Sequence, residues 1–473
     1  MIGKQDRWQE DLFVAGPLRD LIPDDHILKR VNQALDLSWL RSEVSVCYDE
    51  SQGRPSIDPE SAVRLMLAGF FQGIVHDRKL MREAQVNLAM RWFAGYRLHE
   101  SLPDHSSLTR IRQRWGPEHF KQIFQRTVQQ CIRVGLVNAE TVHVDATLIR
   151  ADVSWESLVE VHAEKVVKEN DPEPSDGPAD GDEPVRSRHR RRSTTDPDCT
   201  LTTNRADQRL TPSFKQHQVV EDKSGVIVDV EITTGQENEG KRLLGQLARV
   251  EQVTGQPVKT VTADAGYAHG DNYAALESRG TEAVIPPARE RRRCKRIPLR
   301  RFKYDGRHKV VRCPMGRVLR GGSRNEHGRW YRARSKDCRA CALRQRCLSP
   351  NSGSRSVLIV DGYEALLRAR RRRRRWDSET YGKYVRHRWR VEAPHGEAKT
   401  QHGLARAARR GLANMEIQSY LTAAVLNLKR LAALLSPHLR RIDGVAASGR
   451  TEESLGAIHI IALFPQRLLH HAA

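Results

Sequence analysis

The 473-residue chain has no long hydrophobic run. Nowhere does it approach the 18 or more apolar residues of a membrane-spanning helix, and a stretch such as Ile460 to Phe464 is far too short. Its opening, MIGKQDRWQEDLF, contains no apolar segment of the kind a secretory signal needs. Cysteine is scarce, at eight residues unevenly placed, which speaks against a disulfide framework and for a reducing cytoplasm. No internal repeat is visible. Acidic residues are also short in number: 58 Asp and Glu face 80 Lys and Arg, leaving a formal charge of +22. A surplus of that size raises the field around the protein and favours polyanions. Without a membrane segment, nucleic acid is the expected partner and a membrane is not. A chain of this length buries a large core and divides into two or three domains.

The first 138 residues read as a helical domain. Asp58-Pro59-Glu60 places a capping Asp before a Pro suited to a first helical position, and Val63, Leu67 and Phe70 recur on one face up to Gly73. A second helix is predicted from Asp77 to Phe93. After a break at Leu98 to Asp104, a third opens at Ser106 with Arg110, Arg112 and Arg114, and a fourth runs from Phe120 to Arg133. Short helices, a short break and a basic third helix permit a DNA reader of helix-turn-helix type, or a simple packing unit. From 139 to 285 the pattern becomes strands and helices in alternation. An acidic, Pro- and Gly-rich linker at 169–185 interrupts it. Residues 286–381 lose regular patterning and are basic, with Cys and Gly. Regular structure returns over 382–440, including an amphipathic helix from Gly411 to Leu435, and 441–473 reads as a peripheral tail.

Asp145 closes the β-branched run Thr141-Val142-His143-Val144, and Asp264 closes Val261-Thr262-Ala263. Both are expected at neighbouring strand ends, and Gly266 allows a sharp turn just beyond Asp264. A third acid, Glu392, is expected where a helix begins, with Pro394 in its first turn. Oxygen ligands of this kind suit Mg²⁺ or Mn²⁺, and two such ions serve phosphodiester chemistry by activating the attacking oxygen and steadying the leaving one. Lys399 lies two helical turns after Glu392, His395 falls on the same face, and Arg388 lies one turn before; these bases could grip a phosphate beside the acids. Each acid could instead be a helix cap or a surface residue.

These segments resemble the bacterial insertion-sequence transposases of the DDE type. The segments Gly53-Arg54-Pro55 to Gly73, Arg78-Lys79-Leu80 and Pro103-Asp104-His105-Ser106-Ser107-Leu108 resemble the family's helical amino-terminal domain. His143-Val144-Asp145-Ala146-Thr147 resembles its first catalytic segment, with Ala146 where Gly is frequent. Ala263-Asp264-Ala265-Gly266-Tyr267 resembles the second, and the spacing of Arg388, Glu392 and Lys399 resembles the third. Val385 stands where that signature has Tyr, and Tyr384 is the nearest one. Thr194-Thr195-Asp196-Pro197-Asp198 resembles the stretch between the first two acids.

The resemblance implies an α/β fold. Its core is an RNase H-like mixed sheet flanked by helices, with a helical amino-terminal domain and a basic, Cys-containing insertion before the third acid. It further implies cleavage at the terminal inverted repeats of an insertion sequence and joining of the freed 3′ ends to target DNA. The partners are double-stranded DNA and further copies of the chain, in a bacterial cytoplasm at the nucleoid. A metal-dependent nuclease without strand transfer, and an inactive DNA-binding relic, share the same acids and remain alternatives.

Two further features stand outside the triad. Cys313, Cys338, Cys341 and Cys347 make a candidate four-thiolate Zn²⁺ site, although only Cys338 and Cys341 have the spacing of a close ligand pair; His308 or His327 could replace one thiol. Arg289 to Arg301, and Arg368 with Arg370 to Arg375, are basic runs suited to neutralising phosphates.

Overall fold

The computed structural model describes residues 16–49, 56–160, 191–203, 209–288 and 296–434. The acidic segment 169–185, the basic stretch 289–295 and the tail 441–473 lie outside the described residues. The chain forms two compact units.

The first comprises the described parts of Met1–Leu136, Ile149–Cys199 and Gly396–Ala473. Its helices are α1 (Ile27–Ala34), α2 (Leu40–Val44), α3 (Pro59–Phe71), α4 (Asp77–Val86), α5 (Leu88–Ala94), α6 (His105–Arg133) and, late in the chain, α13 (Leu412–Leu434). Asp58 caps α3 through the Ser61 N–H, with Pro59 at the first helical position as predicted. The single helix expected from Asp77 to Phe93 is two. Asn87 is extended and its side chain accepts the Met90 N–H, so it starts a new helix instead of continuing the old one. The two helices expected from Ser106 and Phe120 are instead halves of one long element with a break, where Gly116 takes φ 66° and Pro117 has no N–H to give. The core of the unit lies where α6 meets α13. Phe120, Phe124 and Val128 are buried, as are Leu421, Val425 and Leu428, and the rings of Phe124 and Tyr420 stack at 6.2 Å. Two short strands, β2 (Leu158–Glu160) and β3 (Arg191–Ser193), form an antiparallel pair.

The second unit comprises Val137–Leu148 and Thr200–His395. Its central sheet contains β1 (Thr141–Arg150), β4 (Thr200–Thr202), β5 (Thr211–Glu221), β6 (Ile227–Thr234), β7 (Thr260–Ala263) and β8 (Glu282–Val284). The strand order is β4-β5-β1-β7-β8, with β6 also paired to β5. The β5–β6 hairpin is antiparallel, whereas β1, β7 and β8 run parallel. Helices α7 (Leu243–Thr254) and α8 (Gly270–Ser278) supply the crossovers that parallel neighbours require. Strand β7 is buried on every residue, the pattern of a sheet covered on both faces. This is a mixed α/β arrangement consistent with an RNase H-like core.

Where regular structure was expected to dissolve, between 286 and 381, the chain builds a second sheet. Strands β9 (Lys303–Asp305), β10 (Val310–Arg312), β11 (Val318–Asn325), β12 (Gly328–Arg332) and β13 (Ser356–Val360) pair antiparallel in the order β13-β12-β11-β10-β9. Their inward residues Val311, Leu319, Tyr331, Val357 and Ile359 form a separate hydrophobic core with Phe302. Short helices α9 (Ser335–Arg339) and α10 (Arg344–Cys347) lie between β12 and β13, and α11 (Tyr363–Arg373) and α12 (Ser378–Gln401) follow. The backbones at Gly270 and Gly362 pass so closely that a β-carbon on either would strike main-chain atoms of the other segment.

Candidate active site

The parallel register pairs Val144 with Ala263 as the last residues of the β1–β7 ladder, so Asp145 and Asp264 are the next residues on adjacent strands. Asp264 leaves β7 at its end, as expected. Asp145 does not end its strand: β1 continues to Arg150 through the alternation of Thr147 and Ile149, so Asp145 lies where the parallel pairing stops. Glu392 differs more from expectation. It lies inside α12, which begins at Ser378, and Pro394 is an interior helix residue whose missing N–H leaves the Arg390 carbonyl without its usual helical donor.

Asp264 caps a one-turn 3₁₀ helix, its Oδ1 accepting the Gly266 N–H at 2.7 Å. Asp264, Ala265 and Gly266 are exposed, so this edge of the site is open to a large substrate. Burial pushes the Asp145 carboxyl up to about 7. A hydrogen bond from the Ala146 N–H opposes that, and the charges of Asp264, Glu239 and Glu392 raise it further. The charges of three other carboxylates therefore reach Asp145, and Glu239 is one the sequence did not bring forward. His395 Nε2 lies 3.7 Å from Asp145 Oδ2, beyond hydrogen-bond reach. Glu392 Oε1 accepts the Arg388 Nε–H at 2.8 Å, and both side chains are largely exposed, 61% and 78%. Lys399 lies two turns further along α12 and is half-buried.

Beneath the acids a buried polar relay joins the three elements that carry them. The Nδ1 of His143 on β1 lies 2.5 Å from Thr262 Oγ1 on β7, which lies 3.0 Å from His387 Nδ1 on α12. His143 Nε2 is 2.9 Å from Asp222 Oδ1, and Arg386 Nε donates to the same oxygen at 3.1 Å. Burial lowers the His143 imidazole and takes that of His387 down to about 3, so both rings are neutral at pH 7. One proton arrangement satisfies the chain: His143 donates to Asp222, Thr262 donates to His143, and His387 donates to Thr262. Asp222 is held well below the usual carboxylate range by His143 and Arg386, against the opposing effect of burial.

The donors are all hard oxygens, the chemistry Mg²⁺ or Mn²⁺ takes. The buried Tyr267 hydroxyl has no hydrogen-bond partner among the described residues, and the charges of Asp145, Glu239 and Asp264 reach it. Even so, among the described residues no three His, Cys, Asp or Glu side chains stand close enough together to hold a metal ion. The same statement holds for the thiols. Cys313, Cys338, Cys341 and Cys347 are free and half-buried, and they line one small cavity with Met315 and Leu343. Burial pushes the Cys347 thiol up, Arg355 opposes this, and the other three thiols add to it.

Two expected DNA contacts change character. Arg112 cannot read bases: it is 4% exposed and donates to both oxygens of Asp77 at 2.7 and 2.9 Å. Arg110 remains exposed on the same helix. In the second Arg run, Arg368 and Arg372 are both taken up by Glu277 of α8, and Arg373 lies over the Trp376 ring, while Arg371, Arg374 and Arg375 are exposed.

Comparison with known proteins matches residues 16–114 to a transposase domain (DUF772) and residues 193–428 to the transposase DDE domain. A search of curated proteins gave no match. Among solved structures, a piggyBac transposase synaptic complex with hairpin DNA is similar at 9% identity and a TM-score of 0.29, over 90% of this chain and 85% of that one. The Mos1 transposase paired-end complex with left transposon end is similar at 11% identity and a TM-score of 0.16, over 52% and 65%. Likenesses that weak carry no weight, and the assignment rests on the two domain matches in their order along the chain: the protein belongs to the DDE-type transposases.

Proposed function

We propose that the protein cleaves phosphodiester bonds at the inverted-repeat ends of an insertion sequence and joins the 3′ ends to target DNA. The supporting observation is the register of β1 and β7, which makes Asp145 and Asp264 the first residues past the last rung of a parallel ladder. In this reading Asp145, Asp264 and Glu392 hold two Mg²⁺ or Mn²⁺ ions. When bound, these supply an activated attacking oxygen and a stabilised leaving oxygen. Arg388 and Lys399 bind the backbone phosphate beside the acids, and release of Glu392 from Arg388 frees both for that work. The exposed arginines of α11 position the duplex without reading its sequence. The acting species is an oligomer holding two DNA ends, in a bacterial cytoplasm at the nucleoid.

Purified protein with terminal-repeat DNA, target DNA and Mg²⁺ is expected to give both cleaved and joined products, and Asp264→Asn to give neither. Cleavage without joining would make the protein a nuclease, and equal activity of Asp264→Asn would remove the acids from the chemistry.

The four thiols are proposed to take one structural Zn²⁺, which stabilises the second sheet. Elemental analysis is expected to find one zinc per chain, lost in the Cys338→Ser, Cys341→Ser double variant. A metal-free purified chain would overturn this.

A further inference from the structure

Glu239 lies in a polar stretch, Gln236 to Gly240, and takes no part in the reading above. Its placement is nonetheless closely determined. Asn238 caps the 3₁₀ turn Glu239–Lys241 through the Gly240 N–H at 2.9 Å. The buried Asn272 amide then ties that turn to the one following Asp264, donating to Gly240 O at 2.8 Å and to Tyr267 O at 3.1 Å. The result is that Glu239 and Asp264 close on Gly266 from two sides. A β-carbon on Gly266 would lie 2.9 Å from Asp264 Oδ1 and 3.2 Å from Glu239 Oε2. Glycine at 266 is thus what lets two carboxylates share the space above one Cα.

A cluster of acids alone would be unremarked surface chemistry. A second observation gives it a direction. The Tyr267 side chain is fully buried, its hydroxyl has no hydrogen-bond partner among the described residues, and the charges of Asp145, Glu239 and Asp264 all bear on it. A buried hydroxyl without a partner costs roughly 1–3 kcal/mol. A phenol hydroxyl has one proton to donate. It therefore suits an oxygen brought in by a ligand, such as a phosphate oxygen or a water on a cation. Glu239 Oε1 pairs with Lys215 at 3.0 Å, while Oε2 is the oxygen turned to Gly266.

We propose that Glu239 is a fourth carboxylate of the metal-binding site, placed beside Asp264 by the Asn272 tie, with the Tyr267 hydroxyl donating to the bound phosphate or water. The inference rests on the proposed two-metal reaction. It assigns Glu239 a role that the Lys215 ion pair alone does not require.

Mn²⁺ titration of the full chain, read by the electron paramagnetic resonance signal of free Mn²⁺, separates the outcomes. Glu239→Gln keeps the shape and loses the charge, and is expected to weaken Mn²⁺ binding by about tenfold or more, with melting temperature unchanged. Lys215→Met breaks the ion pair and is expected to leave Mn²⁺ binding at the wild-type level. Wild-type affinity in Glu239→Gln, or equal weakening in both variants, would overturn the fourth-carboxylate role. Asp264→Asn is the control for the underlying reaction. Binding that it abolishes and Glu239→Gln spares defeats only the fourth carboxylate, whereas a wild-type chain that binds no Mn²⁺ defeats both.

Discussion

A single carboxylate can serve stability or chemistry, and its partners tell which. Glu397 is almost fully paired: Lys429 bonds to it, and His402 Nε2 lies 3.7 Å away, its ring fixed by a 2.7 Å bond from Nδ1–H to the Phe70 carbonyl. Burial by itself would raise its titration, but the His402 ring beside it and the Lys429 ammonium bonded to it hold it down to about 2. A carboxylate lowered on folding stabilises the fold above its unfolded value and loses that contribution as pH falls through its folded one. Glu397→Gln is therefore expected to cost ~1–3 kcal/mol at pH 7. The deficit should shrink below about pH 4 and vanish near pH 2, which thermal melts across that range would reveal; a deficit independent of pH would sink this account. Asp145 is the opposite case, raised by burial and by the charges of Asp264, Glu239 and Glu392, with His395 Nε2 3.7 Å from its Oδ2. A carboxyl raised in that way marks a candidate site whose purpose lies outside the fold.

At the scale of elements, the acids depend on how β1, β7 and α12 are held together. Thr262→Val removes the hydroxyl at the middle of the relay and leaves the His143 and His387 nitrogens without their partner. A loss of ~1–3 kcal/mol is expected from a chemical denaturation curve, since buried polar atoms are left unpaired. His387→Phe should cost less than Thr262→Val, because it deletes one link at the end of the relay and not two; the reverse order would show that the threonine does not carry the connection. The crossing at Gly270 and Gly362 sets a second constraint. Gly270→Ala should destabilise by at least ~1–3 kcal/mol because the obstacle is backbone and cannot rotate away.

Elements were legible in the sequence where one period dominates. Val63, Leu67 and Phe70 announced α3, and Val261-Thr262-Ala263 announced β7. The end of β1 was misplaced because Asp145 interrupts a β-branched alternation that Thr147 and Ile149 resume. The second sheet was hidden by its charge: Arg320, Arg324, Arg329 and Arg332 point outward between inward residues, and no strand there exceeds the eight residues of β11. The onset of α12 was missed because Pro394 was taken as a start signal, although helices can carry proline inside at a cost of about 3 kcal/mol. Glu239 gave no signal at all. Its place comes from Asn272, whose bond to the neighbouring Gly240 carbonyl spans 32 residues that no local pattern encodes.

For the whole molecule, charge is the governing property. A chain at +22, with Arg371 exposed in the last turn of α11 and Arg374 and Arg375 exposed just past it, should bind duplex DNA largely by releasing counterions. Raising salt from about 50 to about 200 mM is expected to weaken binding by ~10³-fold or more, measured by fluorescence anisotropy. Replacing Arg371, Arg374 and Arg375 by Gln together should flatten the slope of log affinity against log salt by about 3. An unchanged slope would place the duplex elsewhere. Arg368→Gln should change the slope little, because Glu277 already neutralises that side chain.

The order in which the acids occur along the chain has a consequence for biosynthesis. Asp145 and Asp264 belong to strands made early, whereas Glu392 lies deep in a helix near the end of the second unit. At about 5–20 residues per second, roughly 250 residues separate the first acid from the last, a delay on the order of ten to fifty seconds. If the proposed triad carries the reaction, the ribosome holds during that interval a chain that cannot cut DNA. On the same proposal, a message broken or frameshifted there yields only an inactive chain, and cutting becomes possible only once Glu392 has been made.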